Sequence, residues 1–299
     1  VMLKYRLIFG PVMIAAVLAA VWADEQLDTI QLTGKLKELF FGRDYPPAGL
    51  LLLVVAIAII ILGSREITAI VRGVGLNCHR WLISVGAIAG CLTIYATPMM
   101  LGAPTGVSIV ATVLVAAFVG TLIWHSKDAN TKGAITAAGM TMFGIALLGL
   151  MPGFYLGIRR WHSAWVVVAV LLITKSCDIG AYFTGRWFGK HKLIPWLSPK
   201  KTWEGLAGGV ATAVSVAVLF AWISQSTDLT AVWRTVDGER TEVVVRYSLA
   251  WAAVAGVVFA IVGHAGDLMM SLFKRDAGVK DSGSSIPGFG GLLDVIDSP

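Results

Sequence analysis

Charge is what this chain of 299 residues lacks: only 14% are Asp, Glu, Lys or Arg, against roughly 25% in an average soluble domain. Hydrophobic residues make up 57%, and mean hydropathy is +0.77. A water-exposed fold cannot bury that apolar excess, which excludes a soluble globular enzyme and a disordered chain. Cysteine is scarce too. Cys78, Cys91 and Cys177 are odd in number and show no CxxC spacing, so neither a disulfide framework nor a zinc site is indicated. The short alternating segments of a transmembrane barrel are missing, as are internal repeats and low-complexity tracts. The apolar runs are continuous, which leaves helices as the spanning element. The expected fold class is therefore all-α, a polytopic integral membrane protein.

The net charge is +6 and the isoelectric point is about 9.3. The basic residues are scattered between apolar runs. This reads as loops held at an anionic membrane face, with no nucleic-acid partner. A spanning helix takes about 20 mostly apolar residues. Eight segments qualify: 7–23, 48–62, 81–97, 106–124, 134–151, 164–183, 205–223 and 246–263. The first is read as a retained span, although Val21-Trp22-Ala23 has the look of a cleavage site. With a cytoplasmic N-terminus, the cytoplasmic loops hold fifteen Lys and Arg and the outer loops seven, which favours that orientation. Arg159 and Arg160 oppose it, since both fall outside. Segment 32–41 reads equally as a short interfacial helix or as a solvated loop. Polar residues inside or beside spans gather after residue 170. Residues 1–163 are thus expected to be a scaffold of helices, and 164–299 to carry the chemistry.

Three clusters stand out. In the first, Lys175, Asp178 and Tyr182 are spaced i, i+3, i+7 and share a helix face. Charges in a span are costly and functional by default, although a structural Lys175–Asp178 ion pair is the plainer alternative. The second is the loop from Arg186 to Glu204. Its Lys200 and Lys201 follow Pro199, immediately precede a span, and can reach an anion at the membrane surface. The third runs from Gly263 to Ser298. If the eighth span continues as helix, Asp267, Ser271 and Lys274 stack on one face, with Arg275 beside them. Gly278, Gly283, Gly288, Gly290 and Gly291 then supply a loop whose backbone can approach a ligand closely. Asp294 and Asp297, three apart, would aim together from a helical turn. Carboxylates beside Lys and Arg are what a magnesium–phosphate site needs, because magnesium takes oxygen ligands and is held by one or two carboxylates plus substrate phosphates.

The run Ser271-x3-Arg275, Lys280-Asp281-Ser-Gly and Pro287-Gly-Phe-Gly-Gly-Leu-Leu-Asp294-x2-Asp297 resembles the signature of phosphatidate cytidylyltransferases, also called CDP-diacylglycerol synthases. The segments Lys175 to Tyr182 and Ser198-Pro-Lys-Lys-Thr-Trp-Glu204-Gly are similar to that family as well. The likeness is sharp over about 170–298 and rests on span pattern alone before that. It implies a membrane enzyme with a cytoplasmic-side site that joins CTP and phosphatidate into CDP-diacylglycerol and pyrophosphate, with magnesium. It places Asp267, Asp294 and Asp297 at the metal, with Asp178, Lys280 and Asp281 nearby. Lys200, Lys201, Lys274 and Arg275 are expected to bind phosphate oxygens, and Ser271, Gly290 and Gly291 to line the substrate. A second cation and assembly into homodimers are left open, as are a related lipid or polyprenol phosphate as substrate and, further off, a secondary transporter. Two features depart from the family: Phe289 stands where its members usually have His, and members usually continue after Asp-Ser with one more apolar span, where this sequence stops at Pro299. The expected address is the cell inner membrane, with the N-terminus and the active-site loops cytoplasmic.

Overall fold

The computed structural model describes residues 2–100, 103–126, 133–236, 239–286 and 288–296. The chain is mostly helical. Its helices are α1 (Met2–Leu27), α2 (Gly34–Leu39), α3 (Leu50–Gly73), α4 (Arg80–Met100), α5 (Ala103–His125), α6 (Ala134–Ile145), α7 (Met151–Trp161), α8 (Ala164–Phe188), α9 (Trp203–Ser226) and α10 (Leu249–Asp276). A π-helical turn, Ala146–Leu150, joins α6 to α7 into one continuous rod. Among the described residues, seven helical segments are long and apolar enough to cross a membrane. The further segment expected over 81–97 is helical as α4. Segment 32–41 contains the short helix α2. Two hairpins were not anticipated: β1 (Lys192–Ile194) with β2 (Ser198–Thr202), and β3 (Ala231–Val236) with β4 (Glu239–Val244), both antiparallel.

The chain divides into two compact units, 1–161 with 277–294, and 162–276 with 295–299. The first unit holds α1 to α7. Lipid tails are as apolar as leucine, so helices in a membrane are held by close van der Waals packing and by polar contacts. Both occur here. Gly149, in the π turn, lies so close to α4 that an added Cβ would sit 2.6 Å from the Ala87 Cα. Gly63 and Gly144 likewise meet Leu148 and Ile83 side chains. The polar tie is Arg159, fully buried on α7. Its Nε donates to Asp24 at 2.6 Å and its Nη2 to Asp28 at 2.7 Å. The other Asp24 oxygen accepts the backbone N–H groups of Leu51 and Leu52 at 2.9 and 3.2 Å. Helix α3 starts after Gly49, which has φ +83° and no capping side chain. Asp24 therefore supplies, from α1, the acceptor that a helix N-terminus needs.

The second unit is built on α8, α9 and α10. Every fourth residue of α9 is small and buried: Gly205, Gly209, Ala213, Ala217 and Ala221. That ridge lets the backbones of α8 and α9 approach closely. A Cβ on Gly209 would lie 2.7 Å from the Cys177 carbonyl oxygen, and one on Gly256 of α10 would lie 2.8 Å from the Val214 Cα. Ile173, Cys177, Ala213, Ala217 and Ala260 form the core. At one end, β3–β4 links α9 to α10, and the Tyr247 hydroxyl pairs with His162 Nδ1 at 2.6 Å. Burial pushes the Tyr247 phenol up to about 12 and holds the His162 imidazole below its usual range, so both partners favour their neutral forms. At the other end, β1–β2 links α8 to α9.

Candidate active site

In the second unit the sequence-predicted residues gather at the end that carries β1–β2. Thr202 caps α9 by accepting the Gly205 N–H at 3.1 Å. Glu204, in the first turn where an anion suits the helix dipole, reaches back to the hairpin. It accepts the N–H groups of Lys190 and His191 at 3.1 and 3.2 Å and meets His191 Nδ1 at 2.6 Å. The hairpin is thereby fixed on α9, and Lys201 is aimed by a strand, not carried on a free loop. Its ammonium lies 2.6 Å from an Asp267 oxygen, with side-chain exposures of 16% and 26%. Asp267 sits where it does because α10 runs on to Asp276, well past the apolar segment 246–263. The same extension carries Ser271, Lys274 and Arg275 on helix.

His264 lies one turn before Asp267. It is buried, at 7% exposure, and neither ring nitrogen has a hydrogen-bond partner among the described residues. Lys201, Asp267 and Asp178 are the charged groups that act on it. Asp178 is half-buried on α8. Lys175 donates to the Val295 carbonyl at 3.1 Å, so its ammonium ties down the chain after α10 and the alternative of a pair with Asp178 is not needed to hold it. Tyr182 accepts from Arg186 at 3.1 Å and is exposed. Lys200 is exposed on β2.

The signature loop belongs to the first unit. Lys280 and Asp281 are exposed. A bridge between Ile286 and Gly290, with N···O distances of 2.8 and 3.1 Å, closes a turn around Gly288 at φ +83° and Gly290 at φ +100°. Only glycine takes those angles without strain. One oxygen of Asp294 accepts from the Ser282 N–H at 2.8 Å, the Ser282 hydroxyl at 3.0 Å and the Gly291 N–H at 2.9 Å. Asp294 stands in a turn, not in the helical turn that its spacing to Asp297 invited, and Asp297 lies outside the described residues. The Phe289 ring lies 3.5 Å from where a Cβ on Gly10 would be, so it fills space against α1. Among the described residues, no three His, Cys, Asp or Glu side chains gather closely enough to cage a metal ion.

Three residues of these sites were not singled out from the sequence. Glu204 lies within the Ser198–Gly205 motif, and its early-helix position is the available signal. His264 lies within the third cluster, and a lone His near a span end is too common a feature to stand out. Glu66 had no local signal, because all its partners lie more than 200 positions further on.

The architecture defines a polytopic helical membrane protein that carries acidic and basic side chains at the ends of its helices and a glycine-rich acidic loop. The chain belongs to the Cytidylyltransferase family, whose model matches residues 39–299. It is 39% identical over 138 residues to a phosphatidate cytidylyltransferase of Haemophilus influenzae, covering 46% of this chain and 43% of that protein. It is 37% identical over 158 residues to the phosphatidate cytidylyltransferase of Pseudomonas aeruginosa, covering 52% of each. It is also similar to YnbB of Escherichia coli, a protein described as uncharacterized, at 31% over 228 residues, or 75% of this chain and 62% of that one. The chain spans about half the length of the curated phosphatidate cytidylyltransferases it matches.

Proposed function

We propose that this chain transfers CMP from CTP to phosphatidate, giving CDP-diacylglycerol and pyrophosphate. The observation that carries the reading is the cluster at one end of the second unit. There a cation–carboxylate pair, Lys201–Asp267, lies beside a buried histidine whose two nitrogens have no hydrogen-bond partner among the described residues. A buried polar group without a protein partner calls for a specific explanation, and beside an ion pair a bound anion supplies one. A substrate rich in phosphate oxygens offers acceptors to the ammonium and to the imidazole N–H.

The nucleophile is the phosphate of phosphatidate, already ionised near neutral pH because a phosphate monoester has a second pKa of about 6. Its oxygen forms a bond to the α-phosphorus of CTP as the bond from that phosphorus to the bridging oxygen breaks, and pyrophosphate leaves with the electron pair. No strong base is required, so the side chains position phosphates and neutralise their charge. Lys201 and Lys200 bind phosphate oxygens from the hairpin, and Lys274 and Arg275 do so from α10. Asp178 and the exposed Lys280–Asp281 pair frame the substrate. Ser271, Gly290 and Gly291 line it.

Asp267, Asp294 and Asp297 would hold magnesium, which supplies Lewis-acid neutralisation of the charge that builds up on the transferred and leaving phosphates. The donor chemistry fits. All three are carboxylates, and Asp267 keeps part of its side chain exposed beside an ammonium. Magnesium keeps several waters and needs few protein ligands, so a complete protein cage is not demanded. In this reading residues 164–299 carry the chemistry and residues 1–163 serve as scaffold. The membrane is the cell inner membrane, and the N-terminus and loops 184–204 and 264–299 are cytoplasmic. Arg159, which weighed against that orientation, is neutralised internally by Asp24 and Asp28 and drops out of the loop charge balance.

The test is to supply purified protein in lipid vesicles with CTP, phosphatidate and magnesium. Release of pyrophosphate in step with CDP-diacylglycerol is expected. Its absence with phosphatidate, but presence with another lipid phosphate, would replace the substrate. For orientation, cysteines introduced by Ser198→Cys and Ser284→Cys are expected to resist an impermeant thiol reagent until the cells are lysed.

A further inference from the structure

Glu66 lies near the end of α3, in the half of the chain that the reading above treats as scaffold. It is buried, at 7% exposure. An ionisable residue in a membrane helix is functional by default, with its partner to be named. Here the partners are all in the signature loop. Glu66 Oε1 accepts the Ser285 hydroxyl at 2.6 Å and the Leu292 N–H at 2.8 Å. Its Oε2 accepts the Leu293 N–H at 3.0 Å and lies 3.2 Å from the Ser282 hydroxyl oxygen. The Ser282 oxygen also lies 3.0 Å from Asp294 Oδ2, so one hydroxyl stands between the two carboxylates. Gly291 has its α-carbon where any side chain would collide with Ser282 Oγ and Glu66. Leu293, next to Asp294, is fully buried.

These contacts have a chemical logic. Three donors, two of them backbone N–H groups that cannot rotate away, converge on one side chain, and the Ser282 hydroxyl is shared between it and Asp294. An ionised carboxylate offers about four acceptor sites on two oxygens and no donor. Glutamine has one acceptor oxygen, and its NH2 would oppose an N–H. Aspartate is a methylene short. The site is thus specific for glutamate.

We propose that Glu66 is the positioning residue of the signature loop, holding residues 282–293 in the conformation that orients Asp294 for magnesium. The proposal deepens the cytidylyltransferase reading and rests on it for its kinetic consequence, though not for the tether itself. It makes α3 part of the catalytic apparatus. Outer-shell partners of metal ligands typically change metal affinity or activity by about 10–100-fold when removed.

The experiment compares the full chain with Glu66→Gln by amide hydrogen exchange and by the magnesium dependence of CDP-diacylglycerol formation. Exchange is expected to quicken over 282–293 while α9 stays protected, and half-maximal rate is expected to need about 10–100-fold more magnesium. Unchanged exchange over 282–293 overturns the tether. Faster exchange there with an unchanged magnesium requirement overturns the positioning role. Faster exchange along the whole chain makes Glu66 a general stability element and also overturns it. Should Glu66→Gln fail to fold, Ser285→Ala, which removes one partner at the exposed rim, is expected to shift both readouts in the same direction by less; no shift in either overturns the proposal. A parent without turnover counts against the cytidylyltransferase reading, and the exchange comparison then decides the tether alone.

Discussion

Glu66 of the first unit and His264 of the second are both buried polar side chains in membrane-crossing helices, and their hydrogen bonding is opposite. Both oxygens of Glu66 accept hydrogen bonds from within its own unit. Neither nitrogen of His264 is filled at all among the described residues. Burying a polar group without a partner costs about 1–3 kcal/mol. A saturated carboxylate is how a chain fixes its own shape. In the proposed reading, an open imidazole beside an ion pair is a group kept ready for a phosphate. Arg159, with its carboxylates on α1, belongs with Glu66. The Lys201–Asp267 pair, partly exposed, belongs with His264.

The contrast can be broken at four residues. The largest effect is expected at Asp267. Asp267→Asn keeps the size and removes the charge, so turnover falls to background while exchange over 282–293 stays as in the parent. Asp294→Asn should also abolish turnover, yet it should loosen that loop, because three donors end on the altered group. Pyrophosphate release and amide exchange on the same samples distinguish the two, and near-normal turnover in Asp267→Asn would remove it from the site.

Next is Arg159→Met, which leaves Asp24 and Asp28 buried without their cation. Breaking a buried pair from one side costs about 3–5 kcal/mol. Thermal unfolding in detergent should show this as a clear loss of stability. A variant as stable as the parent would mean that the network does not hold α7 to α1.

The smallest effect is at His264, where function and stability should part company. His264→Leu removes an unpaired buried polar group and should stabilise the fold by about 1–3 kcal/mol. It should lower kcat/KM by about one to two decades, the worth of a hydrogen bond to a charged phosphate. A less stable protein with intact kinetics would make His264 an ordinary core residue.

Most of the architecture was legible because long apolar runs have few alternatives in a membrane. What went astray were the ends. The second span was expected to stop at Leu62, since Ser64, Arg65 and Glu66 interrupt the apolar run, but backbone hydrogen bonding carries α3 on to Gly73. The same extension brings Asp267 onto helix in α10. The β3–β4 hairpin had a readable signal: Val- and Thr-rich stretches on either side of Asp237-Gly238, a favoured hairpin dipeptide. The π turn had none. The signature loop was readable as chemistry because glycines and acids recur at short spacing. Its anchor was not, because Glu66 is joined to it only by the folded chain.

The ridge of Gly205, Gly209, Ala213, Ala217 and Ala221 has one consequence for traffic through the bilayer. Where α8 and α9 touch, even a methyl group on Gly180, Gly208 or Gly209 would run into the opposite helix. A hydrocarbon tail is thicker than a methyl group, so this seam is a wall. A lipid whose headgroup reaches Lys201 must bring its tails in by another gate.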